Sequence, residues 1–122
     1  MAYKFKIVDR KNDQFGVQFL YNAEIMVWSE SYTSKASAWN CIDSLKKNAP
    51  GAPTVDVSNG ETGLGYRWEI HKSTDGQFYV LFVASNGETM VRSERYTTKA
   101  SAQNCIDSCK KNMPDAEVVD ET

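Results

Sequence analysis

Apolar side chains fall at every second position in the opening segment. Tyr3, Phe5 and Ile7 alternate with Lys4 and Lys6, and Phe15, Val17 and Phe19 alternate again beyond the polar run Arg10-Lys11-Asn12-Asp13. That period puts alternate side chains on one face of extended chain, so it predicts two strands joined by a turn. Asn22-Ala23 then turns the chain into a third strand over 24–29. Beyond the capping hydroxyls of Thr33-Ser34 the spacing changes. Ala38, Cys41, Ile42, Leu45 and Ala49 share one sector of a helical wheel, predicting a helix over 35–48 that buries this stripe. Pro50 stops it, and Thr54-Val55-Asp56-Val57 predicts a fourth strand.

The same pattern then recurs. Tyr3 to Ser58 aligns with Tyr66 to Thr122, at an offset of 63 up to Tyr21 and 64 afterwards, with about 30 of about 55 aligned positions identical. Gln14-Phe15, Val17 and Phe19 return as Gln77-Phe78, Val80 and Phe82. Lys35-Ala36-Ser37-Ala38 and Asn40-Cys41-Ile42-Asp43-Ser44 return as Lys99-Ala100-Ser101-Ala102 and Asn104-Cys105-Ile106-Asp107-Ser108. The second copy predicts strands about Phe78 and over 88–93, a helix over 99–112 behind Thr97-Thr98, and a last strand in 117–120. The unit is β-β-β-α-β, written twice: 1–58, a Gly-rich linker over 59–65, and 66–122. A copy of about 55 residues buries too little surface to be robust alone. Both halves are therefore expected to pool their cores in one compact pseudo-twofold domain, a monomeric pseudo-dimer in preference to an obligate homo-oligomer.

The repeated blocks carry a resemblance. Asp75-Gly76-Gln77-Phe78-Tyr79, Ala84-Ser85-Asn86-Gly87-Glu88, Ser93-Glu94-Arg95-Tyr96 and Lys99-Ala100-Ser101-Ala102-Gln103-Asn104-Cys105-Ile106 resemble the repeat of the YegP-like family of uncharacterised small proteins. Copy one departs in Asn12-Asp13 for Asp-Gly, in Gly16 for the aromatic, and in a second turn shorter by one residue. The resemblance implies an α+β fold: two tandem β-β-β-α-β repeats forming a single antiparallel sheet, two helices on one face, and exchanged C-terminal strands. It implies no biochemical activity.

Composition narrows the function classes. The chain has 122 residues, 41% hydrophobic and 25% charged, as ordinary globular domains do. Fourteen Lys and Arg against 16 Asp and Glu give a net charge of −2, so no bulk positive field advertises nucleic acid or anionic lipid. Residues 1–58 carry 7 basic and 6 acidic groups and residues 59–122 carry 7 and 10. The opening stretch 1–6 lacks a signal-peptide core, and no segment reaches the roughly 18 apolar residues of a membrane span, which makes a cytoplasmic location, with no membrane partner, the expectation.

Candidate chemistry is sparse. No nucleophile elbow, phosphate loop, dinucleotide fingerprint or zinc spacing occurs, so neither an enzyme nor a metal or other cofactor is expected. His71 is the only histidine and reads as a surface residue. Cys41, Cys105 and Cys109 lie on the helical core stripes and read as packing, since burial opposes thiolate reactivity. A polar cluster recurs, Glu30, Tyr32 and Lys35 with Glu94, Tyr96 and Lys99. It reads as structural, the tyrosine as a staple before the helix cap and the Glu–Lys pair as a brace at the strand-to-helix turn. Asn40 and Asn104 recur off the core stripe.

The sheet face opposite the helices is more suggestive. Strict alternation places Leu20, Met26 and Trp28 there from copy one and Tyr79, Leu81, Val83, Met90 and Arg92 from copy two. An open sheet face normally reads polar, and apolar patches of this kind mark interfaces. The expectation is therefore a binding or protein-interaction module using this face for a protein partner not identified by the sequence. A purely structural, self-associating protein is the alternative, and single-stranded nucleic acid stacked on Tyr79 and Trp28 beside Arg92 is the minor one.

Overall fold

The computed structural model describes residues 3–122, so Met1 and Ala2 of the opening stretch lie outside it. Copy one folds as β1 (Tyr3–Arg10), β2 (Gln14–Tyr21), β3 (Glu24–Ser29), α1 (Lys35–Asn48) and β4 (Thr54–Asp56), followed by a 3-10 turn at Val57–Asn59. Copy two gives β5 (Arg67–Lys72), β6 (Phe78–Val83), β7 (Thr89–Ser93), α2 (Lys99–Asn112) and β8 (Glu117–Asp120). Ser34 and Thr98 cap the helices, each side chain accepting the backbone N–H three residues on, from Ser37 and Ser101. In the first hairpin Asn12 and Asp13 both take positive φ, the left-handed conformation that short polar side chains tolerate and that copy two gives to Gly76.

The strands form one sheet in the order β4-β5-β6-β7-β3-β2-β1-β8. Each copy hands its last strand to the other: β4 lies against β5 and β8 against β1. The six inner strands are antiparallel. The two exchanged strands join in parallel, which makes the sheet mixed where an antiparallel one was expected. Hairpin turns force reversal between neighbours, and β4 and β8 enter from a helix instead.

The copies meet where β3 pairs with β7. Ser29 sits where β3 passes from β2 to β7. Its hydroxyl accepts from the Val17 N–H at 2.8 Å and donates to the Glu30 carbonyl, and Ser93 does the same for Val80 and Glu94. Without those hydroxyls each joint would bury an unpaired amide, which explains why Ser29 recurs as Ser93. One continuous core fills the space between the sheet and both helices, with Phe5, Phe19, Trp68 and Phe82 from the strands and Ile42, Leu45, Ile106 and Met113 from the helical segments, all almost wholly buried. Among the described residues no helix is long and apolar enough to cross a membrane.

Candidate functional site: the open sheet face

The pairing that joins the copies sets Trp28 of β3 directly opposite Arg92 of β7. Following the register outward gives one row across all eight strands: Val55, Glu69, Leu81, Arg92, Trp28, Gln18, Lys6 and Val119. All alternate with core residues such as Trp68, Phe82, Val91 and Phe19, so the row faces away from the helices. Positions related by the repeat differ in chemistry along it. Trp28 answers to Arg92, Gln18 to Leu81 and Lys6 to Glu69, whereas Val119 and Val55 match.

The neighbouring positions diverge as well. Copy two places His71 opposite Tyr79, their rings stacked at 5.3 Å, with the Arg92 guanidinium 5.8 Å from the Tyr79 ring centroid. Behind them Glu69 accepts from Arg67 at 2.6 Å and pairs with His71 Nε2 at 2.7 Å. Burial works against the Glu69 charge, but hydrogen bonds from His71 and Arg67 outweigh it and hold the carboxyl below its usual range. Copy one has Val8 opposite Gly16 in the matching places. The Arg10 guanidinium lies over Gly16, where any Cβ would collide with it, and donates to the Ser29 carbonyl at 2.7 Å. Glycine in one copy seats a cation; tyrosine in the other supplies a ring.

Two open hollows, of about 440 and 780 Å³, flank this centre and share Trp28, Tyr79 and Arg92 as walls. Arg10, Glu30, Ser31, Leu81 and the bulged stretch 89–91 of β7 also line the first; Lys72, Glu94 and Arg95 are prominent in the second. Four cations thus stand against two carboxylates, although the whole chain is acidic. Arg95 pairs with Asp75 at 3.4 Å, while Arg10 and Arg92 have no carboxylate partner among the described residues.

Half of the expected apolar patch is not available on this face. The register slips between Phe19 and Leu20 against β3 and between Phe82 and Val83 against β7. Each bulge adds one residue, Met26 or Met90, opposite a core phenylalanine and turns it toward the helices. Both methionines pack on the core, and the Ser44 hydroxyl of α1 approaches the Met90 sulfur at 4.0 Å. Strict alternation cannot see an inserted residue, so both were expected on the wrong face. Leu20 and Val83 remain on the open side but are buried, with the long side chains of Lys4 and Arg67 in register beside them. Trp28, Tyr79, Leu81 and Arg92 remain accessible.

The recurrent polar cluster divides. Glu30 and Glu94 border the hollows. Lys35 and Lys99 do not brace their own turns through those glutamates. They reach across the exchange, Lys35 to Asp120 of β8 at 3.2 Å and Lys99 to Asp56 of β4 at 2.8 Å, so each helix start is tied to the strand supplied by the other copy. Tyr32 and Tyr96 form backbone bridges to Phe15 and Phe78 and hydrogen bond through their hydroxyls to Cys41 and Cys105. Burial, then those thiols, raise both phenols well above the usual tyrosine range.

The three cysteines are buried and unbridged, as their place on the core stripes requires. Burial raises the Cys41 thiol against the hydrogen bond to Tyr32. Cys105 is lowered, because hydrogen bonds from Cys109 and then Tyr96 outweigh its burial, whereas burial pushes Cys109 well up. Among the described residues no three metal-ligating side chains converge. Nothing in the structure explains the recurrence of the exposed Asn40; Asn104 lines a cleft with Tyr96 and Cys105. Sequence reasoning missed Arg10 and His71. The signal for Arg10 was a glycine inside a strand, which marks a close approach, and for His71 its place opposite Tyr79 in a hairpin.

Comparison with known proteins follows the same two-copy division. A family described as a domain of unknown function, DUF1508, matches residues 11–56 and again 73–120. A UPF0339 protein of Mesorhizobium japonicum is 50% identical over 58 residues, 48% of this chain and 100% of that one, and so corresponds to a single copy. A UPF0339 protein of Bordetella pertussis is 37% identical over 112 residues, covering 88% of this chain and 89% of its own. The solution structure of the E. coli protein of unknown function yegP superposes with a TM-score of 0.80 at 30% identity, over 100% of this chain and 95% of that one. Two matched segments spanning most of the length make this chain a tandem member of the uncharacterised DUF1508/UPF0339 family.

Proposed function

We propose that this chain works by recognition, not by a catalysed reaction, and that the open sheet face is its recognition surface. The observation that supports the reading is the central pair of Trp28 and Arg92 with Tyr79 beside them: rings and a guanidinium left in the open, on a face that no helix of the chain covers. The helical side is filled by the shared core, which leaves the open face as the broad surface able to receive a partner.

Hydroxyl-radical footprinting tests this with an internal control. Trp28 and Tyr79 on the open face and Trp39, 38% exposed on α1, are oxidised in dilute buffer and in native lysate. Occupancy of the open face slows oxidation of Trp28 and Tyr79 in lysate while Trp39 is unchanged. Equal slowing of all three, or of none, overturns the proposal.

A further inference from the structure

We infer, resting on the recognition reading above, that the occupant of the open face is a single strand of nucleic acid, its phosphates on Arg10 and Arg92 and its bases on Trp28 and Tyr79. Charge complementarity comes first. Arg10 and Arg92 both line the first hollow, and neither is neutralised by a carboxylate among the described residues. In a chain of net charge −2 that is a local concentration of the sign opposite to the whole, where an anion repays its desolvation.

The neighbours select among anions. Trp28 and Tyr79 lie two strands apart with Arg92 between them; His71 stacks on Tyr79 and the Arg92 guanidinium lies over the same ring, so a base takes the guanidinium's place on Tyr79 as Arg92 turns to a phosphate, with Trp28 next along the path. Base–aromatic stacking on a sheet with cations between the rings is how single strands are held without sequence readout. A peptide partner is served less well, because Leu20 and Val83 are buried, Met26 and Met90 pack on the core, and the two hollows that flank the centre are open, so they do not enclose an anchoring side chain. Duplex is excluded by shape, since its bases are stacked inside and cannot lie on the rings.

The divergence between copies fits the same occupant. Seating Arg10 needs Gly16, and offering the Tyr79 ring needs a side chain at that same repeat position. One copy cannot do both, so the two together make a composite site of cation and ring that neither has alone. Glu30 and Glu94 stay at its edge, where they repel phosphate from all but the central path.

Fluorescence anisotropy tests the inference on the full chain with labelled twelve-nucleotide oligo(dT) and oligo(U), and a duplex of equal length. Single strands are expected to bind and duplex not. With two phosphates neutralised, affinity falls about tenfold between 50 and 250 mM salt, from a slope of about −0.7 per phosphate. Arg92→Ala lowers that slope by about 0.7, and Tyr79→Ala weakens binding at least about fivefold with the slope unchanged. Trp39→Ala leaves binding alone, and circular dichroism confirms that every variant is folded. Absence of single-strand binding at 50 mM salt, or binding indifferent to salt or to both variants, overturns the inference. The footprint then separates the two readings. Protection of Trp28 and Tyr79 that survives nuclease treatment of the lysate means a protein occupant and leaves the recognition surface standing; no protection removes both.

Discussion

Trp68 of β5 donates its indole N–H to the carbonyl of Ala49, the C-cap residue of α1, at 3.1 Å across the boundary between the copies. The bond satisfies a helix-end carbonyl that the helix itself leaves open. The repeat maps Trp68 onto Phe5 and Ala49 onto Met113, and all four are buried. A large ring facing a small residue on one side is thus exchanged for a smaller ring and a longer side chain on the other.

Ala49→Met is therefore expected to overpack against Trp68 and cost about 1–3 kcal/mol in urea unfolding. Trp68→Phe leaves a cavity and removes the shorter of the two hydrogen bonds to the Ala49 carbonyl, which keeps only the Ala52 N–H at 3.4 Å. The double variant recreates the Phe5 and Met113 combination and is expected to be less destabilised than the sum of the singles, with a coupling of about 1 kcal/mol or more. Strict additivity means that the two sites are not compensating each other.

Gly16 and Arg10 give a second prediction. The obstacle to a Cβ at position 16 is the far end of a flexible side chain, not backbone. Gly16→Ala should therefore fold with a melting temperature within a few degrees of wild type while losing the bond from Arg10 to the Ser29 carbonyl. In an Arg10→Ala background the same change should raise stability by about 0.5–1 kcal/mol, because alanine gives up less chain entropy than glycine. A large loss in either background shows that the tight approach involves the strand itself.

Much of this architecture is legible in the sequence because its signals are local. The helix bounds follow from Ser34 and Thr98 as caps and from the apolar stripe, and the inner strands from simple alternation. Met26 and Met90 escaped because a bulge is a property of paired strands, not of one strand. The roles of Lys35 and Lys99 escaped for a related reason: their carboxylates lie 85 residues later and 43 residues earlier, on strands supplied by the other copy. The open face was visible as a surface, but its composition as a site depended on register, which alone sets Trp28 beside Arg92 and His71 beside Tyr79.

The three cysteines, alike in sequence as core residues, should differ in solution. Cys105 has the lowered thiol, supported by Cys109 one turn on, while Cys41 has Leu45 in that place and is raised. Alkylation by iodoacetamide at pH 7.5, slow for all three because they are buried, is expected in the order Cys105, Cys41, Cys109 by peptide mapping. Cys109→Leu should slow Cys105 to the rate of Cys41. An unchanged Cys105 rate in that variant removes the hydrogen bond from Cys109 as the cause.

Glu69 links the recognition face to pH. Burial opposes its charge, but His71 and Arg67 hold its folded pKa below the value in the unfolded chain, about 4.3 for an ordinary glutamate. The unfolded state therefore takes up the proton first as pH falls. The stabilisation from this group is present in full above about pH 5 and is lost as pH drops through the lower, folded value. Glu69→Gln forfeits it at neutral pH, so wild type should be the more stable at pH 7 and the gap should narrow as pH falls below about 5. Urea unfolding of both proteins across that range reads the gap directly. Because Glu69 also positions His71 beneath Tyr79, the variant should broaden the Tyr79 ring resonances at neutral pH, and wild type should show the same broadening only on acidification. A gap that stays constant as the pH is lowered through the acid range assigns the loss to packing and not to the carboxylate charge.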